Sequence, residues 1–240
     1  MSRIYWIPSS SSPYDFPPLD MALTYPDGLL AMGGDLSPER IMVAYRKGIF
    51  PWFSDDEPIL WWAPTQRMVL FPELLHISRS LKKTMKKHHF TFTMNQAFSQ
   101  VVEECAAAYR PEQDGTWITP EVHHAYCQLH QYGLAHSVEC WDEGELVGGL
   151  YGVAIGRVFY GESMFSRVSN ASKISFVYFV KQLQRWGYEM IDCQQHTDNL
   201  ARFGAVEIPR QNFTSLLNTL CEQSLSHTWQ CDDNFTTPSL

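Results

Sequence analysis

The 240-residue sequence predicts an α+β fold, a mixed, mostly antiparallel sheet flanked by helices. Three observations carry that expectation. A block of helical patterning, residues 95–133, precedes three consecutive strand-like runs (AHSVECW, ELVGGLYGVAIG and RVFYGESMFS) joined by acidic or glycine turns. A largely apolar helical run, NASKISFVYFVKQLQRWG, then leads to a further strand, YEMIDCQ. The composition, 45% hydrophobic and 18% charged, suits a layered fold around a sizeable core.

Residues 1–35 are rich in Pro, Ser and Gly and read as irregular. LSPERIMVAYRKGIFPWF follows as a helix: Ser37 caps it, Pro38 fits its first turn and Gly48 ends it, with Ile41, Met42 and Tyr45 on the apolar face. PWFSDDEPILWWAP is turn-rich and aromatic, and residues 1–65 are assigned to a small N-terminal domain. From residue 66 the pattern changes, and 66–240 form the second domain. RMVLF is a strand, ISRSLKKTMKKHH a helix, FTFTM a strand, and NQAFSQVVEECAAAY and TPEVHHAYCQLHQYG two helices. After the three-strand meander, Asn170 is placed to cap the long helix. A short helix and PRQNFTSLLNTLCEQ close the fold, and the polar tail from about 225 is expected to be loose. The order of helices, meander, crossing helix and further strand resembles the acetyltransferase-like (GNAT) fold.

Formal charge is −8 and the pI about 5.5, which argues against a protein that coats nucleic acid over its whole surface. Six cysteines show no CxxC pair, no apolar run approaches the ~18 residues of a membrane span, and no signal-peptide pattern opens the chain. Free thiols in a cytoplasmic protein follow. His123, His124 and His130 share one predicted helix without a matching Cys or Glu set, so no metal site is expected. Nor is any cofactor: GxxxxGK[ST] is absent, and SRVSNASK stands where an acetyltransferase-like fold would carry its pyrophosphate loop.

Four groups of residues carry chemistry. Strand alternation puts Glu162 on one face with Val158, Tyr160, Met164 and Ser166. It is either a strand-edge carboxylate in water or a carboxylate on the floor of a lipophilic pocket. In IDCQ, Asp192 and Gln194 share a face at a strand end while Cys193 faces away; Asp192 either caps the next turn or belongs to a site. An amide has almost no basicity, so Gln194 orients a hydrogen bond rather than acting as a base. Trp52, in GIFPWF, and Trp117, in GTWIT, are loop tryptophans, packed or free to clamp a base. Arg79, Lys82, Lys83, Lys86 and Lys87 recur at three- and four-residue spacing, as a solvated helix face or a phosphate-binding patch.

GGDLSPERIMVAYRKGIFPWF, PILWWAP, LHISRSLKK, GTWIT, ELVGGLYGV, GESMFSRVSNASK and IDCQ together resemble the leucyl/phenylalanyl-tRNA–protein transferase family, over residues from about 20 to 215. The resemblance implies a bacterial, cytoplasmic aminoacyltransferase. Its members move Leu or Phe, and Met less readily, from aminoacyl-tRNA to the N-terminal Arg or Lys of a protein, marking it for N-end-rule degradation. It implies stacking of the terminal adenosine on Trp52 and Trp117, and an aminoacyl side-chain pocket at Leu150, Phe159, Met164, Phe176, Phe179 and Ile191. It implies catalytic roles at Asp192 and Gln194 with Glu162 beside them, and tRNA binding by the Arg79–Lys87 patch. The monomer is the expected state. Two departures stand out. Leu150 occupies a position that is often Met in relatives, which trims pocket flexibility. NLARFGA puts Asn199, Arg202 and Phe203 where relatives commonly carry His, Ser and Leu. The rival readings are an acyl-CoA-dependent N-acetyltransferase and a non-enzymatic RNA-binding module.

Overall fold

A computed structural model describes residues 4–108, 116–233 and 235–236. Tyr109, at the end of one expected helix, Gly115 of the GTWIT loop and the last four residues of the tail lie outside the described residues. The N-terminal segment contains β1 (Tyr5–Ile7), β2 (Leu29–Gly33), α1 (Pro38–Arg46), β3 (Phe50–Pro51) and β4 (Leu60–Trp62). These strands form a sheet of order β1-β2-β4-β3. The expectation that residues 1–35 are irregular therefore fails at β1 and β2. They are three and five residues long and pair across more than twenty positions, so no local period announces them. Helix α1 forms as its sequence demands. Ser37 Oγ accepts the Arg40 N–H, Pro38 sits in the first turn, and Gly48 follows at φ +79.

The second segment supplies β5 (Gln66–Leu70), α2 (Arg79–Met85), β6 (Thr91–Met94), α3 (Phe98–Ala107), α4 (Pro120–Gln131), β7 (Ala135–Asp142), β8 (Glu145–Ile155) and β9 (Val158–Ser166). It ends with α5 (Ala171–Trp186), β10 (Met190–Gln194), α6 (Asp198–Arg202), β11 (Val206–Pro209) and α7 (Arg210–Leu220). The sheet order is β11-β5-β10-β9-β8-β7-β6, and β9–β10 is its one parallel pair. The molecule is thus mixed α+β. Helices α3 and α4 cover one face, packed with the N-terminal sheet into one core that holds Tyr45, Tyr126 and Tyr160. Helix α5, with Leu81 and Met85 of α2, covers the other around Phe159, Phe176 and Phe179.

Three local expectations are corrected. Asn170 precedes α5 in a left-handed conformation (φ +67) and makes no capping bond; Ser166 Oγ takes the Ser172 N–H instead, at 2.8 Å. The helix expected over 77–89 is only α2, because Lys86 already ends it. The tail beyond 225 is not loose where it is described. Trp229 stacks on His136 at 3.6 Å, Asp232 pairs with Arg185, and Phe235 is buried. Two aromatics spaced among polar residues are enough to dock a segment that reads as hydrophilic.

Two features of the large sheet make a site. Strands β9 and β10 pair only from Val158↔Met190 to Tyr160↔Asp192, after which no pairing joins them. At that point each strand bulges against its other neighbour. Tyr151 faces Ser163 and Gly152 faces Gly161, so Glu162 is the extra residue of β9. Val69 faces Asp192 and Met68 faces Gln194, so Cys193 is the extra residue of β10. A bulge re-aims side chains and ends regular pairing.

Candidate active site

The bulge at Glu162 resets the alternation of β9. Tyr160 lies in the core shared with α1 and α4, Met164 packs on the opposite core with Phe159, and Phe165 returns to the first. Strict alternation, which put Glu162 and Met164 on one face, is therefore corrected by one inserted residue. Gly152 is required opposite the bulge: a Cβ there would lie 2.1 Å from the Tyr160 carbonyl oxygen.

Glu162 is aimed at two tyrosines from different helices. Tyr45 Oη of α1 donates to Oε1 at 2.6 Å, Tyr126 Oη of α4 donates to Oε2 at 2.9 Å, and the two hydroxyls lie 2.5 Å apart. With Glu162 ionised, two hydroxyl protons serve three short contacts; a third proton on the carboxyl completes the set. Burial raises the Glu162 pKa to about 7, against the lowering effect of its hydrogen-bond donors. Burial also holds both tyrosines well above their ordinary pKa, so they remain donors.

Asp192 is fully buried, and Arg67 of β5 grips both its oxygens, at 2.8 Å through Nε and 2.6 Å through Nη2. Arg67 is itself fixed by the Gly48 carbonyl and by the rings of Phe50 and Phe213, 4.5 and 4.8 Å away. The same carboxylate accepts the Gln194 backbone N–H at 2.9 Å. Gln194 sits at φ +62, a conformation that a non-glycine residue keeps only when its surroundings hold it there. Its side-chain Nε2 donates to Glu162 Oε1 at 3.3 Å, which leaves the amide oxygen as the available acceptor. Strict alternation turns Cys193 away from Asp192 and Gln194; with the bulge it lines the cavity beside them. Burial pushes its thiol far above the usual range, which disfavours the thiolate.

These groups border a cavity of about 350 Å³ at the opening between β9 and β10. Its apolar wall includes Leu150, Phe159, Met164, Phe176, Phe179 and Ile191, and its polar floor Glu162, Asp192 and Gln194. Trp52 and Trp117 also line the cavity, Trp52 edge-on to Trp62 and Trp117 edge-on to Tyr126. All eleven of these sequence-selected residues meet at one hollow. The five cations do not: Arg79, Lys82, Lys83, Lys86 and Lys87 lie on and just after α2, outside it, and none joins an ion pair among the described residues. Sequence reasoning missed Arg67, Tyr45 and Tyr126. An Arg opening the apolar run RMVLF was a signal for the first; the tyrosines read as ordinary core. Among the described residues no cluster of His, Cys, Asp or Glu could hold a metal ion, and no helix is long and apolar enough to cross a membrane.

An apolar slot ending in a carboxylate of near-neutral pKa, an orienting amide and two flanking tryptophans is fitted to receive an apolar group joined to a flat ring system. Comparison with known proteins identifies the family. The sequence pattern of the leucyl/phenylalanyl-tRNA protein transferase family matches residues 69–218, and that of the family's N-terminal domain residues 34–65. The leucyl/phenylalanyl-tRNA–protein transferase of Nitrosomonas eutropha is 59% identical over 224 residues, 93% of this chain and 94% of that protein. Its counterpart in Nitrosomonas europaea is 60% identical over 205 residues, 85% of this chain and 86% of that protein. That in Chromobacterium violaceum is 58% identical over 202 residues, 84% and 86% of the two chains. With both segments matched and most of each relative's length covered, the chain belongs to the leucyl/phenylalanyl-tRNA protein transferase family.

Proposed function

We propose that this chain transfers Leu or Phe, and Met less readily, from aminoacyl-tRNA to the N-terminal Arg or Lys of a protein, as a cytoplasmic monomer without a cofactor, marking the acceptor for N-end-rule degradation. The observation that carries the reading is the apolar cavity with Glu162 and Gln194 at its floor and Trp52 and Trp117 at its wall. We also assign residues 66–240 to an acetyltransferase-like (GNAT-like) domain following a small domain over 1–65. The parting of the parallel strands β9 and β10 beside the site, and the separate sheets within residues 5–62 and 66–209, support that division.

The terminal adenosine stacks on Trp52 and Trp117, worth ~1–3 kcal/mol per base. The aminoacyl side chain enters the slot between Phe159, Phe176, Phe179 and Ile191, with Leu150 and Met164 beside it. A branch at Cβ is refused there by shape, a discrimination of ~1–3 kcal/mol per methyl-sized difference. The donor ester is already activated, and the acceptor α-amine has an ordinary pKa of ~7.7–8.0, so the site must align two groups and move one proton. The amine nitrogen bonds to the ester carbon while the bond from that carbon to the ribose oxygen breaks. Glu162 takes the proton leaving the nitrogen and returns it to the ribose oxygen. Gln194 Oε1 accepts a second N–H of the amine and orients it. Asp192, committed to Arg67, is a positioning residue: it holds the Gln194 backbone. The cations of α2 hold the donor's phosphates.

The deciding experiment incubates the protein with labelled Phe-tRNA and a peptide bearing N-terminal Arg. Label in a new peptide bond is the expected result. Label transferred only from acyl-coenzyme A, or donor binding with no transfer, overturns the reading.

A further inference from the structure

A second hollow, of about 580 Å³, lies on the other side of α6. It falls within the ~300–1,000 Å³ typical of small-ligand clefts. Leu81, Ala201 and Phe203 give it an apolar part, and its charged groups are of one sign: Lys173 at the start of α5 and Arg202 at the end of α6, with His76, Ser78 and Thr84 beside them. Among the described residues no Asp or Glu lines it, in a chain whose net charge is −8. Neither Lys173 nor Arg202 forms an ion pair among the described residues. Two cations left without counterions around hydroxyl donors are the chemistry of a phosphate site.

Its location supplies the second argument. Asn199 lines both this hollow and the cavity that holds Glu162 and Gln194, so the two adjoin across one side chain. At its far side Ser80 and Thr84 belong to α2, the helix that carries Arg79, Lys82 and Lys83. The hollow therefore bridges the aminoacyl cavity and the basic helix. Asn199, Ala201 and Arg202 tie it to α6.

Resting on the transfer reaction above, we propose that this hollow is a subsite for the phosphodiester backbone immediately 5′ of the donor's terminal adenosine, with Arg202 and Lys173 as its phosphate-binding residues. Threading that backbone between the cavity and α2 fixes the direction in which the RNA leaves the site.

A ladder of donors tests this: phenylalanyl-adenosine, its CpA and CpCpA extensions, and full Phe-tRNA, each with wild type, Arg202→Ala and Lys173→Ala. Both side chains reach solvent, and equal melting temperatures exclude misfolding. The expected result is a KM raised about 5- to 30-fold by either substitution on every donor with a 5′ phosphodiester, and a KM and kcat unchanged on phenylalanyl-adenosine. Equal KM values for wild type and both variants on the extended donors overturn the subsite while leaving the transfer reaction intact. Equal losses on phenylalanyl-adenosine overturn it too, since the residues then act on the aminoacyl cavity. Inorganic phosphate is a further arm: inhibition of phenylalanyl-adenosine transfer in wild type, relieved in Arg202→Ala, makes this a free-anion site and overturns the RNA assignment. Absence of transfer from every donor refutes the underlying reaction, and the subsite with it.

Discussion

Glu162 accepts three hydrogen bonds and still sits at a pKa of about 7, because burial outweighs its donors. A carboxylate with that affinity for protons is matched to an amine whose own pKa lies slightly higher. Transfer should therefore rise with pH through about 7 as Glu162 ionises, and level off once the acceptor amine has lost its proton. The same shift bears on stability with a definite sign. The folded pKa is raised from 4.5, so the folded chain holds this proton more tightly than the unfolded one. The group's stabilising effect is complete below pH 4.5 and is lost as pH climbs through about 7. Glu162→Gln keeps the neutral shape at all pH. It should cut kcat by ~10²–10⁴-fold, yet be more stable to unfolding than wild type at pH 8.5, by up to ~3 kcal/mol. That gap should shrink toward pH 5. Paired thermal melts at the two pH values decide it; a gap that does not change with pH means the carboxyl is not perturbed by burial.

The two bulges turn a regular sheet into a site, and they mark the border of what a sequence discloses. Strand existence in VFYGESMFS and MIDCQ follows from apolar patterning, and so does α5. Which residue is inserted does not, because a bulge is set by pairing with another strand. Gly148, Gly149 and Gly152 of ELVGGLYGV were visible as glycines in a strand, the usual mark of close backbone approach. Their partners were not. The same holds for Arg67: its residue type was plain, but its commitment to Asp192 depends on β5 pairing with β10, 125 positions apart in sequence. Site membership was more legible than site geometry, since residue type and motif survive without knowledge of register. The bulge itself can be tested. Gly152→Ala places a methyl 2.1 Å from the Tyr160 carbonyl, and backbone must shift to receive it. Gly161→Ala meets only the Asp192 carbonyl oxygen at 3.6 Å, an ordinary contact. The first should lose about 2 kcal/mol or more by denaturant unfolding and lose transfer with it; the second should lose under 1 kcal/mol. Equal costs would mean the bulge is not the constraint.

Over the whole molecule, charge is divided between two tasks. The chain carries 26 acidic and 18 basic residues, a net charge of −8 that is unfavourable to RNA away from a local basic patch. Under the proposed transfer, donor binding draws on a local concentration of cations: Arg79, Lys82, Lys83, Lys86 and Lys87 lie along and after α2, with no counterion among the described residues. Such a patch binds phosphate by releasing condensed counterions, so its contribution has a signature that stacking and pocket filling lack. The KM for full Phe-tRNA should climb steeply between 50 and 200 mM salt, whereas that for phenylalanyl-adenosine should stay nearly flat. Replacing Lys82 and Lys83 together by Ala should lower the slope of log KM against log salt by up to ~2, about one per phosphate contact removed. The kcat should not move, because neither lysine borders the aminoacyl cavity. If the slope is unchanged while affinity falls, the lysines act through folding of α2 rather than through phosphate. If phenylalanyl-adenosine shows the same salt slope as the full donor, the electrostatic contact lies inside the cavity, and the division of labour between apolar slot and basic helix is wrong.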